Sequence, residues 1–195
     1  MSEPSQQRAV FSIKKYAGLL IPLAIAAAAI IFWQATSKIS GEVSAVIGDA
    51  AAVALPNVNV ALYKVPEDQQ QLLLTKLGNL KQDNNQAKTQ NARVFPEQSG
   101  DERTRSDLAG YNNLSDTKHC FAVEKVMEDI GRFAIRKQST DSQGRFAFHV
   151  LPGKYLLEIV GQGASHRFEY IEPVDLKWRV NLKLADPNCQ YSMAD

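Results

Sequence analysis

The stretch from Thr140 to Ile159, TDSQGRFAFHVLPGKYLLEI, constrains the fold more than any other part of the chain, because turn chemistry and strand periodicity alternate within it. Asp141 and Gly144 suit the first and fourth positions of a type I turn, where a carboxylate can accept a hydrogen bond from the backbone two residues on. Phe146, Phe148 and Val150 alternate with Arg145, Ala147 and His149, the period of a strand with one apolar face. Leu151-Pro152-Gly153-Lys154 follows with the Pro and Gly that a type II turn asks for, and Tyr155, Leu157 and Ile159 supply the apolar face of a second strand. The expectation is a β-hairpin that gives half of its side chains to one core.

Thr140, Asp141, Gly144, Phe146, Phe148, Leu151, Pro152, Tyr155 and Leu157 fall position by position on the pattern Thr-Asp-x-x-Gly-x-Phe-x-Phe, then Leu-Pro-x-Gly-x-Tyr-x-Leu, with the second turn one residue shorter. In this the chain resembles the carboxypeptidase regulatory-like domains. Residues 39–43 and 55–63 resemble that family's first two strands, so the likeness covers about residues 38–64 and 132–185. It implies a mainly β fold, a prealbumin-like (transthyretin-like) antiparallel β-sandwich, serving as a non-catalytic accessory or interaction domain. Hydroxyisourate hydrolases share that fold but carry Tyr-Arg-Gly-Ser at the C-terminus; this chain closes on Gln190-Tyr191-Ser192-Met193-Ala194-Asp195, and the resemblance implies no hydrolase activity.

Residues 16–33, YAGLLIPLAIAAAAIIFW, are apolar and uncharged, and Arg8, Lys14 and Lys15 precede them. About 18 residues of helix at 1.5 Å each reach roughly the hydrocarbon thickness of a bilayer. Tyr16 and Trp33 stand at the two ends, where aromatic rings favour the headgroup level, and the preceding cations orient residues 1–15 toward the cytoplasm. The expectation is one transmembrane helix over 16–33 with the remainder periplasmic or extracellular. Cleavage as a signal peptide is the alternative, although a cut after Ala35 would put the bulky Trp33 three residues before it.

Strand patterning starts at Lys38, and Val58, Val60 and Leu62 alternate with polar or small residues. Leu176, Trp178, Val180, Leu182 and Leu184 alternate with Lys177, Arg179, Asn181 and Lys183, which predicts one long strand with Trp178 on its buried face. Pro173 is expected to break the short strand marked by Phe168 and Tyr170. Residues 66–131 form an insertion in the 38–185 domain, and 186–195 a tail. Leu73, Leu77 and Leu80 make one helical stripe and Val123, Val126, Met127 and Ile130 another. Residues 81–118 are rich in Asn, Gln, Asp, Arg and Ser and predict mostly loop, with a polar extension of the first helix into the 80s as the alternative there. A helical hairpin joined by that loop, or two helices packed separately on the sandwich, would both bury the stripes.

No catalytic, cofactor-binding or metal-binding residue emerges. A net charge of +1 lacks the basic excess that phosphate neutralisation requires, so nucleic acid is not an expected partner. His119, His149 and His166 share no ligand spacing with Cys120 or with each other. Cys120 and Cys189 could form a disulfide in an oxidising compartment or remain two thiols. Glu128-Asp129 reads as a solvated helix face, Ser165-His166 as strand neighbours pointing apart, and Asn113-Leu114-Ser115 as a glycosylation sequon that matters only in a eukaryotic secretory pathway. The expected function is therefore a membrane-tethered binding or structural module of the cell envelope, with the bilayer and a protein or glycan as partners. An accessory subunit of an envelope enzyme or transport complex, or an enzyme whose site escapes sequence reading, is the alternative.

Overall fold

The computed structural model describes residues 22, 24–32, 37–45, 53–95, 102–162, 166–185 and 187–193. Strands β1 (Lys38–Ala45), β2 (Val53–Ala54) and β3 (Asn59–Tyr63) precede helices α1 (Glu67–Val94) and α2 (Glu102–Asp129). A short 3-10 turn, Gly131–Phe133, leads to β4 (Ala134–Ser139), β5 (Arg145–His149), β6 (Gly153–Gln162), β7 (His166–Leu176), β8 (Arg179–Leu184) and β9 (Cys189–Ser192).

Two sheets face each other. The first has β1 at its centre, antiparallel to β2 and β5 and parallel to β8; the second runs β4-β3-β6-β7-β9 with every pair antiparallel. The sandwich is thus antiparallel apart from the β1–β8 pair. Between the sheets lie Ile39, Val43, Val60, Leu62, Phe146, Phe148, Tyr155, Leu157, Ile159, Phe168, Tyr170 and Leu176, all buried. Gly41 belongs to this face because a Cβ there would sit 2.6 Å from the Phe146 ring.

β5 and β6 are not a hairpin. β5 pairs with β1 in the first sheet and β6 with β3 and β7 in the second, so Val150, Leu151 and Pro152 carry the chain from one sheet to the other. Gly153 has φ +156°, nearly extended, instead of the φ near +80° of a type II turn. The same correction applies to the predicted strand through Trp178. β7 ends in the second sheet at Leu176, β8 begins in the first at Arg179, and Trp178 lies on the crossing between them, 45% exposed. At the second corner the inward phase carries on from Leu176 to Val180, whereas at the first it shifts from Phe146, Phe148 and Val150 to Tyr155, Leu157 and Ile159, a shift that a hairpin turn would equally produce. Pro173 does not break β7: β9 covers β7 only over residues 166–169, and beyond it Pro173 stands on an open edge, where a missing N–H is tolerated.

The insertion is more helical than its composition predicts. The first helix does extend through the 80s and runs on to Val94, and residues 102–118 belong to a second helix and not to a loop, so that each helix has 28 residues. A second core under them, formed by Ala61, Tyr63, Val65, Leu73, Val123, Met127, Ile130, Leu156 and Ile171, seals the outer face of the second sheet. The molecule is therefore three layers: sheet, sheet, helical hairpin. Residues 24–32 are helical, and Ile25, Ile30, Ile31 and Phe32 are exposed. No helix among the described residues is long and apolar enough to cross a membrane, and the expected span over 16–33 lies partly outside them.

Candidate functional site

The motif residues are structural joints. Thr140 Oγ1 donates to Leu55 O (2.8 Å) and accepts from Val58 N–H (3.0 Å), fastening the β4–β5 turn to the chain entering β3. Asp141 Oδ1 accepts from the backbone N–H of Gln143 and Arg145, both at 2.9 Å, and the Arg145 backbone N–H is the main reason its carboxyl lies below the usual 3.8. Gly144 takes φ +72° at the end of that turn, where a Cβ would come within 2.6 Å of Val43 O. Phe146, Phe148, Tyr155 and Leu157 are buried between the sheets, and Tyr155 Oη donates to Leu151 O across the corner containing Pro152. Leu151 itself is 36% exposed, so this motif position contributes its carbonyl more than its side chain.

Cys120 of α2 and Cys189 of β9 are joined by a disulfide, with Cα atoms 5.3 Å apart, and both are buried. The bond sews the helical layer to the edge of the second sheet. Cys120 is thereby removed from any ligand set, and no metal-holding cluster of His, Cys, Asp or Glu occurs among the described residues. Ser165 lies outside the described residues.

Beside this seam, α1, α2 and the approach to β9 enclose a cleft of about 500 Å³. Its walls are mostly amides and charged groups: Asn84, Asn85 and Lys88 from α1, Asn112, Asp116 and His119 from α2, and Asn188 from the strand approach. Asp116 Oδ1 accepts from Asn84 Nδ2 (2.8 Å) and pairs with Lys88 Nζ (2.7 Å). Asn113 uses both ends of its amide on Ser192, donating to its carbonyl at 3.2 Å and accepting from its N–H at 2.8 Å, which commits the sequon asparagine to holding β9. His119 Nε2 lies 3.2 Å from Asn188 O, and since a carbonyl can only accept, Nε2 is the donor. His119 is 7% exposed, and neither its Nδ1 nor the buried Asn84 Oδ1 has a hydrogen-bond partner among the described residues. Both side chains belong to the wall of the cleft, and a buried polar atom without a partner is costly. Most of these residues lie in the stretch whose composition predicts loop; the signal for helix there is the spacing of Asn84, Lys88 and Asn91.

A separate, partly buried cluster of ionisable groups lies where α2 meets β6 and β7. Tyr63 Oη donates to Glu158 Oε2, and Arg167 Nη2 pairs with Glu124 Oε1 at 2.5 Å. Glu169 is 4% exposed, and burial first, then the neighbouring Glu158 and Glu124 carboxylates, push it up to about 8. Burial and Glu158 also raise the Tyr63 phenol. Neither Glu158 nor Glu169 lines the cleft.

No protein-family model matches the chain, and no characterised protein matches it significantly in sequence. Two solved structures resemble it. One is a Pseudomonas aeruginosa protein proposed to bind carbohydrate, 14% identical with a TM-score of 0.39, the match covering 77% of this chain and 88% of that one. The other is the pilus backbone protein RrgB of Streptococcus pneumoniae, 11% identical with a TM-score of 0.30, covering 76% of this chain and 40% of the pilus protein. At these similarities neither carries a functional argument.

Proposed function

We propose that this chain is a non-catalytic, membrane-tethered module of the cell envelope whose cleft between α1 and α2 binds a glycan. The observation that carries the reading is the cleft's inventory: neutral amides on several walls, one Lys–Asp pair beside a second lysine, Lys81, and the buried Asn84 Oδ1 and His119 Nδ1, which have no partner among the described residues. Sugar hydroxyls supply donors and acceptors at once, which matches such a lining better than an anion or an apolar ligand would. The apolar run 16–33 after Arg8, Lys14 and Lys15 supports the tether and an extracytoplasmic domain. The prealbumin-like sandwich, on this reading, is the scaffold that holds the helical hairpin outward.

Calorimetric titration of the full chain in detergent with a panel of soluble cell-envelope and capsular oligosaccharides tests the cleft. At least one should bind, and Asn85→Ala combined with Lys88→Ala should weaken it at least tenfold without changing the melting temperature. Unchanged affinity in that variant would remove the cleft from the account, and no binding across the panel would remove the glycan. Protease added outside intact inner-membrane vesicles of right-side-out orientation should digest the domain; full protection would refute the topology.

A further inference from the structure

Trp178 is an anomaly for a β-sandwich: a large aromatic placed on a corner and left 45% exposed while its strand neighbours pack inward. Its ring lies against Phe32, the last described residue of the exposed helical stretch 24–32, with centroids 6.1 Å apart. Its carbonyl accepts from Lys38 N–H at 3.0 Å, so the corner is fastened to the first residue of β1. Lys177 and Arg179 flank it, both exposed. Only residues 33–36 separate the apolar helix from Ser37, and four residues reach at most about 14 Å.

From this geometry we infer that the Lys177-Trp178-Arg179 corner is a second membrane contact, resting at the headgroup level of an anionic lipid surface. An indole favours that depth because its ring is apolar and its N–H remains hydrated, and two adjacent cations complement acidic headgroups. The corner lies at the end of the sandwich where the chain leaves toward the apolar run, so the surface that takes the helix also meets the corner. The contact fixes the tilt of the domain, which a single flexible connection would leave free. The inference rests on the tether proposed above, and Trp33 reports on that tether separately.

The full chain is reconstituted into phosphatidylcholine vesicles with and without phosphatidylglycerol, and tryptophan fluorescence is quenched by lipids brominated near the headgroup or by aqueous iodide. Trp33→Phe leaves Trp178 as the single reporter, and Trp178→Phe leaves Trp33. Trp178 should be quenched by the shallow brominated lipid, should lose at least half of its iodide quenching relative to detergent, and should respond more strongly when phosphatidylglycerol is present. Adding Lys177→Ala and Arg179→Ala should abolish the phosphatidylglycerol dependence. Trp178 that remains open to iodide and indifferent to brominated lipid overturns the inference, whatever Trp33 does. Trp33 indifferent to brominated lipid overturns the tether while leaving the Trp178 result decisive for the corner.

Discussion

Glu169 is a carboxylic acid that the helical layer keeps largely protonated near neutrality. Its ordinary value is 4.5 and its folded value about 8, so between those limits the folded chain holds a proton that the unfolded chain has released. Stability from this group is complete below about 4.5 and is lost as the pH rises through about 8. The melting temperature of the full chain should therefore fall from about pH 5 to about pH 8.5, and Glu169→Gln, neutral at every pH, should flatten the decline. A wild-type profile already flat over that range would show that the carboxyl is not held protonated. The two aromatics at the sheet corner and sheet face also part company at this scale. Phe148 is 4% exposed and its truncation to Ala should cost about 3–5 kcal/mol by chemical denaturation. Trp178→Ala, at an exposed site, should stay within about 0.5 kcal/mol. Equal losses in the two variants would place Trp178 in the core after all.

Among the elements, β9 depends most on a covalent bond. It has four residues and, among the described residues, pairs only with the start of β7. Cys120–Cys189 closes a loop of 69 residues, which on the chain-entropy model stabilises by about 4 kcal/mol. Urea denaturation with and without reductant should differ by roughly that amount, and amide exchange over residues 189–192 should accelerate on reduction. No difference would mean that Asn113 and the ladder hold β9 unaided. Turn residues and strand alternation made most strands legible in the sequence: Thr140, Asp141 and Gly144 do locally what their chemistry allows. What sequence could not reveal was which sheet each strand joins, because Leu176 and Val180 keep their inward phase across a corner, and the short link between Phe148 and Tyr155 fits a hairpin turn and a sheet crossing equally well. The length of the helices was hidden for a different reason. Asn and Gln lower intrinsic helix propensity only modestly, and contacts such as Asn84 with Asp116 and Asn91 with Asn112, visible only once the helices are side by side, favour helix where composition suggested loop. The cleft was illegible for the same reason, since its residues converge only in that pairing.

At the scale of the whole molecule, the hairpin is a layer and not an appendage. Lys64 N–H donates to Phe133 O at 3.0 Å, so the two ends of the insertion are adjacent and residues 66–131 can be replaced by a short Gly-Ser linker without stretching the sandwich. That variant, with Cys189→Ser, keeps the inter-sheet core but uncovers Tyr63, Leu156 and Ile171. It should remain β-rich by circular dichroism, melt well below the parent, and self-associate on gel filtration through the exposed face. A monomer as stable as the parent would show that the second core contributes nothing. The parallel pairing of β1 with β8 bears on time as well as on shape. Ser40 and Val180 are 140 residues apart in the chain, yet they are neighbours in the sheet. Closing so long a loop is entropically slow, and contacts of this range lower folding rates. The central strand of the first sheet is synthesised well over a hundred residues before β8 and waits with an unfilled edge until β8 arrives, so the interval of greatest exposure to mispairing is set by the separation of the two strands in the sequence.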